Sequence, residues 1–194
     1  MATKTYFCTV SYVKDNTPIS ASVDESLVNM AILDAQALYV MPALGTKLYD
    51  KMSTLIVSGD ISKPAYADYK NLLDTYVLEC VTHWAMVECI PYIRYKVMNK
   101  SVTGQGSDNS TPIDLEELKF LMQQVRGKAE YYTQRLADHL LAHYALYPEY
   151  NSPADIDDIV PDTNAYFSGM VLDEPRDVVS RLMGYNRNNH DLNW

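Results

Sequence analysis

Two histidines four residues apart, His139 and His143, fall on one face of any helix that carries them, which is the spacing of a metal-binding pair. The segment between them, Leu140-Leu141-Ala142, lacks the internal glutamate of a helical zinc hydrolase. Its leucines place the pair at the edge of a core, so packing is the simpler expectation. Glu79, His83 and Glu88 invite a second reading, a carboxylate-bridged metal in a helical bundle. Such sites need Glu and His three residues apart and need the motif twice, whereas here the step is four and occurs once. A Glu79–His83 surface pair is the alternative. Cys80, His83 and Cys89 fit no zinc spacing, and Gly104-Gln105-Gly106 lacks the strand context and further glycines of a phosphate cradle. No catalytic residue, metal ligand or cofactor site is therefore expected, and the chain is not expected to be an enzyme. Arg94, Lys96 and Lys100 form the one local cluster of cations, interleaved with Tyr92 and Tyr95. The cluster either touches a phosphate backbone or acidic partner, or is a solvated helix end with its cations at the C-terminus.

The elements that would position these residues are mostly helices. Thr5 to Val13 is β-branched and aromatic without helical period, and reads as a short strand or extended arm whose partner is either elsewhere in the chain, as in a hairpin, or, through Tyr6, Phe7, Val10 and Tyr12, on a neighbouring subunit. Ser22-Val23-Asp24-Glu25 has the form of a capping box and opens a first helix with two apolar sides, one through Leu27, Met30, Ala31, Leu38 and Met41. That helix is expected to be covered on both sides and to end or kink at Pro42. A second long helix begins near Ser62-Lys63-Pro64 and carries apolar residues at three- and four-residue steps from Tyr66 to Val87, until Pro91 kinks or stops it. The third starts at Thr111-Pro112, keeps the same step from Leu115 to Tyr144 across an interrupting Gly127, and closes at Tyr147-Pro148. Beyond it, prolines at 148, 153, 161 and 175 break any long element, with one short helix expected from Pro175 to Met183.

The fold expected is mainly α: a bundle of three long helices with a short N-terminal β element in residues 1–150, then in residues 151–194 an extended C-terminal arm that docks on a partner or, equally, folds back over its own bundle. The chain's 194 residues are enough to bury one core without disulfide or metal staples. Cys8, Cys80 and Cys89 are odd in number and lack repeated spacing, so buried thiols in a reducing compartment are expected. No run of 18 apolar residues occurs, so no membrane-spanning segment is expected. The formal charge is −9, which argues against gripping nucleic acid, because phosphate affinity comes from Lys and Arg. Nine acids face three arginines in residues 146–194, so a net −6 sits in the last quarter. Sixteen tyrosines against three phenylalanines suit surfaces buried on assembly, or equally the half-wet edges of a bundle.

Several segments, taken in order, resemble a known family. They are the extended start, Pro42-Ala43-Leu44-Gly45-Thr46-Lys47-Leu48-Tyr49, the Leu72-Leu73 helix, Pro91-Tyr92-Ile93-Arg94-Tyr95-Lys96 with Asn99-Lys100, and the Tyr131-Tyr132 helix ending Tyr147-Pro148-Glu149-Tyr150. Together, over roughly residues 5–150, they resemble the head-to-tail connector proteins of tailed bacteriophages, those of crAss-like and related Bacteroidetes phages especially. The resemblance implies a structural virion protein at the head-tail junction, made in the host cytoplasm. It implies a ring, commonly of twelve copies, below the portal, extending the channel through which genomic DNA leaves and linking capsid to tail. The implied partners are the chain itself, the portal protein and a neighbouring tail or ring protein, with double-stranded DNA passing the lumen without specific binding and no membrane. An acidic wall would let DNA slide without sticking. Val178, Val179, Leu182, Met183, Tyr185 and Trp194 are the expected partner or portal interface. The rival readings are another virion ring or tail-completion component, a soluble helical adaptor without catalytic activity, and a metal-dependent helical hydrolase.

Overall fold

The computed structural model describes residues 4–98, 101–104, 115–152, 155 and 157–161. These are mainly helical, as the apolar periodicity predicts. The start of the chain is not a strand. Thr9 caps a short helix, α1 (Val10–Asn16), its hydroxyl accepting from the Tyr12 N–H at 3.2 Å. The irregular segment before it pairs with a side chain instead of a neighbouring strand. The Gln36 amide accepts from the Phe7 N–H and donates to the Thr5 carbonyl, both at 2.9 Å. Its nitrogen also lies 3.1 Å from the Tyr49 hydroxyl. One buried glutamine thus supplies the donor and acceptor that a strand would have needed from a partner.

Helix α2 (Glu25–Ala35) is capped by Asp24, which accepts from the Ser26 N–H, while Ser22 bonds to Ser20 instead of serving as the expected cap. A wide turn (Gln36–Val40) and α3 (Met41–Leu44) continue it. Pro42 therefore does not end the helix at once. A proline ring crowds the carbonyl four residues back, and the wider turn just before it makes room. By length and mean hydropathy, 1.4, Glu25–Leu44 could cross a membrane. Val28, Ala31, Ile32, Ala35, Val40 and Leu44 are instead buried in the core. The other apolar side is not covered as expected, since Met30 is 40% and Leu38 59% exposed.

Gly45 separates α3 from α4 (Thr46–Ser58). Two turns of 3₁₀ helix then lead to α5 (Ala67–Leu72), a second wide turn (Leu73–Val77) and α6 (Leu78–Arg94). Pro91 is inside α6, which continues for another three residues. There the chain turns into an antiparallel hairpin, β1 (Tyr95–Met98) against β2 (Ser101–Gly104), with Val97 opposite Val102. Arg94 is the last residue of α6 and Lys96 lies in β1, so the two stand at a helix-to-hairpin junction. Helix α7 (Leu115–Ala142) follows, then 3₁₀ turns at Tyr144–Leu146 and Pro148–Tyr150.

Helix α6 is the centre. It packs against both α2 and α7, and is buried almost all round, from Cys80 through Trp84 to Ile90. Trp84 donates its indole N–H to Thr133 on α7 at 2.7 Å and stacks on Tyr39 from the α2 side with centroids 3.5 Å apart. The first residues of the expected arm close back on the bundle. The Thr46 N–H donates to the Ile159 carbonyl at 3.0 Å, and the Ile159 N–H donates to the Thr46 hydroxyl at 2.8 Å. Residues 162–194, including the short helix expected from Pro175, lie outside the described residues.

Candidate interaction surface

The residues with chemical potential are mostly engaged inside the molecule. His139 stacks between Tyr76, 4.0 Å away, and His143, 4.5 Å away. Its Nε2 is 3.1 Å from the Tyr147 hydroxyl, which donates onward to the Asp68 carbonyl at 3.3 Å. Which of His139 Nε2 and the Tyr147 hydroxyl donates depends on the tautomer of the imidazole. His143 places Nδ1 3.1 Å from the His139 carbonyl. Burial first, then His143 and Arg135, hold His139 below its ordinary pKa. The histidine pair is thus an aromatic stack tying the end of α7 to α5 and the turn before α6.

Glu79 and Glu88 do not converge. Nine residues at 100° per residue put them on opposite sides of α6. Glu79 accepts from the Tyr12 hydroxyl at 3.0 Å and faces His83 Nε2 at 3.7 Å, whereas Glu88 accepts from the Tyr39 hydroxyl at 2.8 Å. Burial, then the acceptor carboxylate, pushes both tyrosines up to about 12. His83 lies flat on Tyr132 at 4.4 Å, and burial lowers its pKa against the pull of Glu79. Among the described residues no three His, Cys, Asp or Glu side chains gather as a metal would require. The three thiols are buried and reduced; burial raises Cys80 to about 12 and Cys89 to about 11, far from a reactive thiolate.

What remains open to the outside is a surface. The core stripe of α7 is Leu118, Val125, Ala129, Leu136 and Leu140. From the outer face of α7 round to its border with α6 runs a shallow groove of about 860 Å³, lined by Phe120, Gln124, Gly127, Lys128 and Tyr131, with His83 and Tyr132 at the α6 end. Phe120 is 65% and Tyr131 63% exposed. Gly127 sits between them as a notch: a Cβ there would meet nothing within 4 Å. Glycine in a helix interior costs ~1 kcal/mol relative to alanine, and no contact within the described fold requires it. Sequence reading registered Gly127 only as an interruption and passed over Phe120. The available signal was that 120, 124, 127 and 131 share the face opposite the apolar stripe.

Of the four residues expected to reach a neighbour from the N-terminus, Phe7 is buried, Val10 and Tyr12 are partly buried against the core, and Tyr6 alone is exposed. Val178, Val179, Leu182, Met183, Tyr185 and Trp194 lie outside the described residues, as does Lys100.

Residues 40–159 match the family of unknown function DUF6712. The chain belongs to this family. No curated protein and no solved structure matches the chain. The family segment opens at Val40, the end of the wide turn before α3, and closes at Ile159, which pairs with Thr46. The Pro42-to-Tyr49 stretch is the joint of that segment. Leu44 and Leu48 are buried in it, Tyr49 meets Gln36, and Gly45 takes the backbone turn against Pro161.

Proposed function

We propose that the protein is a structural, non-catalytic subunit of a phage particle, assembling with copies of itself into a ring at the head-tail junction that links capsid to tail. The observation that carries this reading is the distribution of exposed apolar side chains. Phe120 and Tyr131 on α7, Leu38 beyond α2 and Val57 at the end of α4 are exposed on three different elements. A subunit that must meet several neighbours needs such faces. The internal use of the histidines and carboxylates fits the same reading, and so does the resemblance of the Pro42–Tyr49 and Tyr147–Tyr150 stretches to portal-adaptor proteins. The portal and a tail or ring protein are the further partners, and DNA passes an acidic lumen. Mass photometry of the purified full chain tests the central point. A closed oligomer of defined mass is the expected result; a monomer at every concentration overturns the ring and favours an adaptor.

A further inference from the structure

The Gly127 notch has a counterpart on the same molecule. Residues 118–135 carry Lys119, Arg126, Lys128 and Arg135 against a single acid, Glu130, and Arg126 pairs with that acid at 2.9 Å. Glu116, Glu117 and Asp138 balance this stretch, so α7 as a whole is neutral; Arg135 lies over Tyr76 at 5.0 Å, which leaves Lys128 as the cation beside the notch. Residues 15–46 carry Asp15, Asp24, Glu25 and Asp34 and no lysine or arginine, a net −4. On the outer side of α2 and the turn after it, Met30, Asp34 and Leu38 follow one another at four-residue steps, and Met30 and Leu38 are both exposed. Neither Asp34 nor Lys128 has an ion-pair partner among the described residues.

The geometry points to the α7 notch as the seat for the outer face of α2 from a second copy of this chain, with Met30 and Leu38 entering beside Gly127 between Phe120 and Tyr131, and Asp34 meeting Lys128. The inference rests on the self-assembly reading and names the surfaces through which it works. Helices α2 and α7 both pack against α6; Met30 and Leu38 of the α2 side are exposed, and the α7 notch opens to the outside from its border with His83. The two surfaces are different, so the contact is heterologous, the kind that propagates around a ring when the rotation closes. A missing Cβ lets a neighbour's side chain approach the helix backbone, which accounts for a glycine that the subunit itself does not need. Opposite charges at the rim set the register of the two faces.

Mass photometry of the full chain carrying K128E, D34K, both together, or G127L tests the contact, with circular dichroism to verify folding. Gly127 faces open space, so the larger side chain leaves the subunit folded. Each charge reversal should weaken self-association on the order of tenfold, and the double reversal should recover most of that loss. G127L should block assembly. If the wild type assembles and the variants match it, or the double reversal is no better than the singles, this contact is wrong while the ring reading stands. If the wild type never associates, both fall.

Discussion

Gly45 offers the sharpest test of how the fold holds its ends together. Its φ and ψ of 76° and 158° fall in a region that is essentially reserved for glycine. A Cβ at this position would lie 2.6 Å from Cγ and 2.7 Å from Cδ of Pro161, and 3.2 Å from the Ile159 carbonyl oxygen. In Gly45→Ala the backbone strain alone costs about 1–3 kcal/mol. The rigid proline ring cannot turn aside, so the 159–161 segment must lift away. That surrenders the two hydrogen bonds between Thr46 and Ile159, each contributing about 0.5–1.5 kcal/mol. Relief of the clash limits the sum, so the expected loss is ~3 kcal/mol, or about 6–12 °C in Tm for a protein of this size. Gly59 is the internal control. It also has a positive φ, 74°, but no atom lies within 4 Å of its Cβ position. Gly59→Ala should therefore cost only ~1 kcal/mol, the left-handed backbone penalty. Urea denaturation gives both losses from the midpoints, provided the slopes stay equal. Amide exchange at Ile159 should accelerate in Gly45→Ala and stay unchanged in Gly59→Ala. Equal losses for the two variants, with Ile159 equally protected, would refute the Thr46–Ile159 closure.

Two further outcomes follow from the buried polar groups. Gln36→Leu keeps the volume but leaves the Phe7 N–H and the Thr5 carbonyl without their partner, which should cost about 2–3 kcal/mol and open residues 4–9 to limited proteolysis; an N-terminus as resistant as wild type would sink that account. His83 and His139 are both held below their ordinary 6.5 by burial, so the unfolded chain takes up protons first as pH falls. Their contribution to stability is complete above pH 6.5 and declines as pH drops through that value toward the lower folded pKa. Urea midpoints should therefore be lower at pH 5.5 than at 7.5, and His139→Gln, which retains a hydrogen-bond partner for Tyr147, should flatten that dependence. A steeper dependence in the variant would show that the sign is wrong.

Much of the helical framework was legible because burial follows the helical repeat. The apolar steps through Cys80, Val81 and Trp84 and through Leu118, Val125, Leu136 and Leu140 are core positions in the fold. The start of the chain misled for a physical reason. Thr5 to Val13 has strand-like composition, but the Thr9 hydroxyl nucleates a helix and a glutamine from 29 residues away pairs with Phe7. A side-chain amide standing in for a strand leaves no periodic trace. The first helix misled differently, since two apolar stripes cannot say which one meets the core, and Met30 and Leu38 went outward. For the candidate surface, the types and spacing of Phe120, Gly127, Lys128 and Tyr131 were available, but their exposure was not.

By itself, the sequence determined the helical class, the approximate spans of the long helices, the buried reduced thiols and the absence of any recognisable catalytic motif. These depend on the order of neighbouring residues, through periodicity, prolines and spacing. Only the tertiary structure decided that Glu79 and Glu88 serve different tyrosines, that His139 and His143 form a stack, that Gly45 abuts Pro161, and that Gly127 is left open. Those outcomes depend on which segments approach across dozens of residues, and that is set by the shape in which the whole core closes around α6.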